Sequence, residues 1–205
     1  MPEITTEAAL RAFLGEPSDL VRSKVSDRLN ELTRRFVDRS PFVLLATSAG
    51  DGSCDVSPRG DPAGFVHVID ERTLLLPERP GNRLADSLRN ILHNPHVGLL
   101  FLVPGLGETL RVNGRARIVT DEEVLAPLAV EGKPPRLGLR VHVDQVFTHC
   151  PKAFIRSDLW NPDGFAASGE LPSPGEIHRS LNPLFDAESY DAERAERYAR
   201  REGLY

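Results

Sequence analysis

LLLPERPGNRLADSLRNILHNPHVGLLF, residues Leu74–Phe101, carries the signals that organise the rest of the chain. A run of leucines stops at Pro77, and a loop follows with Arg79, Pro80, Gly81 and Asn82. The pattern then predicts a helix over Arg83–His93. Asn94-Pro95 breaks that helix, and a second apolar run starts at His96. Asn82 is a favoured helix-capping residue, and Pro80-Gly81 shapes a tight approach to it. The first turn of such a helix offers unpaired N–H groups and the positive end of its dipole. Arg79 and Arg83 add two guanidinium groups beside those donors. That combination suits a phosphate.

Capped helix starts and surface arginines are common, so a second feature matters. SPRGDPAGF, residues 57–65, places Arg59 at the end of a strand on a loop shaped by Gly and Pro. One reading is an exposed turn in which Arg59 pairs with Asp61. In the other, the sheet brings this loop beside Asn82, and a third arginine converges on the same anion.

Working outward, the chain alternates short strands with turns. Residues 5–14 read as a short helix capped by Thr6. A longer helix is predicted from Ser18, with Val21, Val25, Leu29, Leu32 and Phe36 at helical spacing. Strands are expected at 42–48, 53–58, 64–70, 73–77, 96–103, 109–119 and 137–149, with a bend or bulge at Asn113-Gly114. A short helix fits 120–130. The segment after Trp160 is rich in Gly, Pro and Ser and reads as a surface arm, and the charged tail reads as a helix. The expected organisation is an N-terminal helical extension (1–39), a β domain (40–160) and a C-terminal arm with a charged helix (161–205). Seven short strands joined by tight turns argue for an antiparallel barrel with flanking helices, a mainly β (α+β) fold.

Composition narrows the role. Of 205 residues, 40% are apolar and 27% charged, as in an ordinary globular protein, and the net charge of -5 disfavours nucleic acid and anionic membranes as partners. No apolar run reaches the roughly 18 residues that span a bilayer. The N-terminal residues lack a signal-peptide layout, so a cytoplasmic protein is expected. Cys54 and Cys150 form no C-x-x-C pair. His93 and His96 flank a helix break, and His149-Cys150 would face opposite ways in a strand, so no metal site or Cys–His pair is expected.

The succession SPFVLLATS, DVSPRGDPAGFVHVIDERTLLLPERPGNRLADSLRNILHNPHVGLLFLVPGLGETLRVNGRARI and HCPKAFIRSDLW resembles the pyridoxamine 5'-phosphate oxidase-like flavoproteins over residues 40–160. It is most similar to the branch described as FMN-dependent enzymes of that class. The resemblance implies a split β-barrel of the FMN-binding type, a homodimer, and FMN at the subunit interface. It further implies that Arg59 and Arg83 bind the FMN phosphate, with Asn82 completing the cradle and Arg79 as a secondary candidate. Pro77 and Glu78 would lie along the flavin through backbone atoms, and Thr109 would make a polar contact to the isoalloxazine. Lys152 and Trp160 would reach the flavin or the substrate pocket, including from the other subunit. The expected activity is an FMN-dependent oxidoreductase passing hydride between a small organic substrate and the flavin. The alternatives are a flavin-binding protein without turnover, or a same-fold relative using F420 or haem. The family's namesake holds its substrate with a C-terminal Arg-x-His or Arg-x-Asp segment. Here Arg156-Ser157-Asp158 has that spacing but falls in a predicted helix, so oxidation of vitamin B6 is not expected.

Overall fold

The computed structural model describes residues 2–205. Seven strands form one sheet, in which every pairing is antiparallel: β1 (Phe42–Ser48), β2 (Cys54–Gly60), β3 (His67–Asp70), β4 (Thr73–Pro77), β5 (His96–Leu102), β6 (Thr109–Val119) and β7 (Gly138–His149). Their order is β2-β1-β5-β6-β7-β4-β3, so the sheet is open, with β2 and β3 at its edges. This is the antiparallel α+β architecture that the strand count predicted, with the sheet left unclosed, and it is consistent with the split barrel that the resemblance implies. The edges carry their own safeguards: β3 has only four residues, and Pro58 interrupts the donor row of β2.

Alternation explains the core. Val43 and Leu45 of β1, Val97, Leu99 and Phe101 of β5, Leu110 and Val112 of β6, and Val141 and Val143 of β7 are buried in one cluster. The helices α3 (Glu31–Arg39) and α4 (Asp86–His93) close it with Val37 and Ile91. Each fully buried side chain of this size contributes about 1.5–3 kcal/mol relative to exposure. The TLLLP strand does not alternate because both of its faces are covered. Leu74 and Leu76 join the main core, while Leu75 packs with Leu125 and Leu128 of the short helix α5 (Glu122–Leu125) and the 3-10 turn after it.

The bend expected at Asn113-Gly114 is present, but the extra residue belongs to the facing strand. Asn113 pairs with Gln145 and Gly114 with Val143, which leaves Asp144 unpaired in β7. Inward positions on β7 accordingly change from odd (Leu139, Val141, Val143) to even (Val146). Gly114 is needed there because a β-carbon would collide with the His142 carbonyl oxygen. Asp144 turns outward to Arg115, whose Nε and Nη2 donate to it at 3.1 and 2.9 Å. Those bonds hold its carboxyl below the usual range.

Three other expectations are corrected. The helix read from Ser18 to Phe36 is two helices, α2 (Asp19–Ser23) and α3, separated by an extended stretch. Ser26 exchanges backbone hydrogen bonds with Val146 (3.0 and 2.8 Å), and Leu29 N–H donates to Glu71 (2.7 Å). These tertiary bonds override the helical periodicity, and Asn30 caps a new start with a capping box to Thr33. The strand read as 64–70 begins only at His67. The Gly/Pro/Ser-rich arm also contains a helix, α7 (Pro174–Leu181), opened by a Ser173–Glu176 capping box. The first and last helices follow their sequence signals: α1 (Glu7–Leu14) is capped by Thr6, and α8 (Ala187–Ala199) carries the charged tail. No described helix is long and apolar enough to cross a membrane.

Gly114→Ala should destabilise the fold by about 3 kcal/mol or more in urea unfolding, since the strand pairing must give way. Gly50→Ala, where nothing lies within 4 Å of the added carbon, should stay within about 0.5 kcal/mol of the parent.

Candidate functional site

The end of β4 meets the beginning of β7, where Pro77 pairs with Gly138. One step further, Glu78 N–H donates to the Leu137 carbonyl at 3.1 Å. The loops 78–85 and 130–137 therefore leave the sheet side by side. From the opposite edge, the end of β2 curls round to the same place. Arg59 and Asp61 stand two residues apart and share a face of the extended chain. Arg59 pairs with Glu78, while Arg79 Nε donates to Asp61 at 2.6 Å. These two ion pairs cross the gap between strands that share no backbone hydrogen bonds. They bound a cleft of about 1110 Å³.

The Arg59–Asp61 pairing considered from sequence is thus replaced by the crossed pairs. Arg79 is engaged twice over: besides Asp61, its Nη2 donates to the Leu128 carbonyl at 2.7 Å, and its face lies 5.2 Å from the Tyr205 ring. It braces the wall of the cleft. Arg59 differs. Its Nε is buried with no acceptor, although buried donors are nearly always paired. Arg83 is exposed and has no ion-pair partner among the described residues.

Asn82 lies in the cleft but does not cap a helix beginning at Arg83. Its Oδ1 accepts from Leu84 N–H at 2.9 Å, an Asx turn. Arg83 and Ala85 take φ of 64° and 58°, so helical geometry starts only at Asp86. The consequence favours ligand binding: α4 has no side-chain cap at its N-terminus, and Ala85–Leu88 line the cleft. Its first N–H groups and dipole are open to an anion. Pro77 and Glu78 form the floor at the strand end.

Thr109, Lys152 and Trp160 are elsewhere. Thr109 is buried at the start of β6 opposite His149. Lys152 opens the helix α6 (Lys152–Ser157), and Trp160 donates Nε1–H to Leu106 at 2.9 Å and stacks on Phe154. All three sit at the far end of β7 from Gly138, and none of them lines the cleft. A single chain does not bring them to the arginines. Arg156 and Ser157 lie within α6.

Three cleft residues escaped the sequence reading. Lys133 and Arg136 project from the loop after a two-residue turn in which Glu131 and Gly132 both have positive φ, and Tyr205 arrives from the tail. The basic GKPPR segment was a legible signal; nothing in the sequence placed Tyr205.

The family comparison follows from this geometry. Residues 29–150 match the family model described as pyridoxamine 5'-phosphate oxidase, more than half of the chain. The chain belongs to the pyridoxamine 5'-phosphate oxidase family. Among curated proteins none matches it. Solved structures of similar fold include HupZ of Group A Streptococcus (18% identity, 58% of this chain and 93% of that one, TM-score 0.49). A conserved hypothetical protein of Mycobacterium tuberculosis shares 20% identity over 71% of this chain and 98% of its own, with TM-score 0.45. A Clostridium acetobutylicum protein related to general stress protein 26 shares 15% over 58% and 85%, with TM-score 0.44. At such identities the likeness concerns chain path and leaves chemistry open.

Two outcomes test the local physics. Arg79→Ala strands Asp61, whose side chain is only 3% exposed. It should cost about 3–5 kcal/mol of stability, whereas replacing Arg79 and Asp61 together with apolar residues of similar volume should cost much less. His149 Nε2 is buried without a partner, and burial, then Arg111 and Lys24, push its pKa below the ordinary 6.5. The unfolded chain then takes up the proton first as pH falls, so this group's contribution is intact above 6.5 and is lost below it. Unfolding curves should show the stability advantage of wild type over His149→Phe shrinking as pH drops from 7 to 5.

Proposed function

We propose that this member of the pyridoxamine 5'-phosphate oxidase family is an FMN-dependent oxidoreductase. It acts on a small organic substrate, with hydride passing between that substrate and the flavin. The observation that carries this reading is the buried Arg59 Nε, a donor without an acceptor in a cleft that also holds an open helix N-terminus and the unpaired Arg83. A phosphate completes all three at once.

The fit is chemical as well as spatial. Arg59 would give its free N–H to a phosphate oxygen while Glu78 keeps its guanidinium in place. Arg83 would bring the second guanidinium, and the first N–H groups of α4 would meet a third oxygen. Pro77 and Glu78 present backbone atoms along the floor and would orient a planar ring system. Bound here, FMN would supply the two-electron redox chemistry, and the protein anchors, orients and shields it. A cleft of about 1110 Å³ exceeds the usual span of ligand pockets, roughly 300–1,000 Å³, and leaves room for a substrate beside the cofactor.

The same reading includes a homodimer, with Thr109, Lys152 and Trp160 delivered to the cleft by the second subunit. Its support is that none of the three lines the cleft of one chain, together with apolar surface that one chain leaves bare. The helices α1 and α2 bury none of their residues, and Phe13, Leu14 and Leu20 are each more than 70% exposed. Light scattering should give twice the chain mass. A monomer that still binds FMN would remove this part of the reading.

FMN titration with fluorescence or absorbance readout tests the whole. Micromolar or tighter binding, about -8 kcal/mol, is expected. Arg83→Ala should weaken it by roughly 1.5–3 kcal/mol, one to two decades. Arg59→Ala should do the same and also destabilise the fold, because it leaves Glu78 without its partner. Arg72→Ala, in the β3–β4 turn against Asp27, should leave affinity unchanged. Equal affinity in all three variants would overturn the site.

A further inference from the structure

After α8 the chain does not run off into solvent. Arg201 and Gly203 take positive φ (55° and 77°) and fold the last residues back toward the sheet. Arg201 pairs with Glu131 at 3.6 Å, on the turn that carries the 130–137 wall of the cleft. Four residues later, the Tyr205 ring lies on the guanidinium of Arg79, on the neighbouring loop, where Arg79 meets Asp61 of the β2 wall. The segment 201–205 thus runs from the 130–137 loop to the Arg79–Asp61 seam where the two walls meet. Its phenol faces the Asp61 carboxylate, and burial followed by that carboxylate raises the phenol pKa above its ordinary value.

We propose that Tyr205 is a ligand-enclosing residue of the cleft and that the 201–205 segment straps the 130–137 loop to the Arg79–Asp61 seam beside whatever is bound. The inference rests on the flavin reading of the same cleft. Tyr205 acts as a wall and not as a plug. Its ring covers Arg79, which already donates through Nε to Asp61 and through Nη2 to Leu128, and not Arg83 or the open end of α4. The cleft keeps its volume with Tyr205 seated. An aromatic ring over a guanidinium also presents its other face outward, where it can meet a planar ligand. Ligand and strap then hold each other, and by linkage each raises the other's equilibrium binding by the same factor.

The test uses the full chain with FMN as the probe. Two quantities are read: the FMN dissociation rate from fluorescence recovery, and the rate of trypsin cleavage after Arg201 followed by mass spectrometry. Without FMN, Tyr205→Ala should speed that cleavage severalfold, because the anchor on Arg79 is gone. With FMN, wild type should be cleaved about tenfold more slowly than without it, and Tyr205→Ala should release FMN about tenfold faster, equivalent to about 1.4 kcal/mol. Tyr205→Phe keeps the ring on the guanidinium and should resemble wild type in both readouts. Faster cleavage on adding FMN would mean that the tail occupies the site and would overturn the inference, as would an unchanged FMN off-rate in Tyr205→Ala. FMN failing to bind wild type would overturn the flavin reading itself, and the enclosing role with it. Binding without any effect on the tail would overturn only the strap.

Discussion

Two ion pairs across an open seam govern the geometry of this protein. A seven-stranded sheet with two free edges has no backbone ladder to fix where its ends lie relative to each other. Arg59–Glu78 and Asp61–Arg79 supply that fixation, joining the β2 end to the β4 end with side chains that are largely removed from water. Buried pairs of this kind add little net stability compared with apolar packing, and their value lies in defining one arrangement. A slip between the two edges would leave charges without partners, so the cleft is held at one width.

The seam also distributes work among similar residues. Four arginines line the cleft, and for Arg59, Arg79 and Arg83 only their neighbours decide what each one does. Arg79 has given Nε to Asp61, Nη2 to Leu128 and its face to Tyr205. Arg59 shares itself between Glu78 and an unfilled donor. Arg83 stands on a loop of left-handed residues with no carboxylate partner among the described residues. The gradient from structural brace to free cation runs over a few residues of one loop.

What the sequence disclosed and what it hid divide along physical lines. Alternation along "FVLLATS" and "HVGLLFLV" and the Asn-Gly dipeptide in β6 report local preferences that the sheet reinforces, so strands, hairpins and the bulge were legible. The Pro77–Arg83 and Ser57–Asp61 loops were legible as one site because their residue types suit a phosphate. Asn82 misled because its carbonyl oxygen serves an Asx turn as readily as a helix cap, and the left-handed Arg83 and Ala85 leave no mark in a sequence. Ser26 misled because its partner, Val146, is 120 residues away. Tyr205 was invisible for the same reason: only the folded chain puts a terminal tyrosine on Arg79. Lys133 and Arg136 were legible as a basic loop, but their destination depended on the Pro77–Gly138 pairing.

The unpaired Asp144 has a bearing on how this chain can change in length. Along a strand, inside and outside are a matter of counting by twos. The single supernumerary residue reverses the count midway through β7, so that Leu139, Val141 and Val143 on one side of it and Val146 on the other all reach the same interior. Deleting Asp144 would tidy the pairing and turn one half of the strand inside out, exchanging valines for charged and polar neighbours. Surface loops such as 161–173 can gain or lose residues without that penalty. The longest strand of the sheet is therefore the place where the arithmetic of insertion and deletion is least forgiving, and the irregularity is what keeps its two halves in agreement.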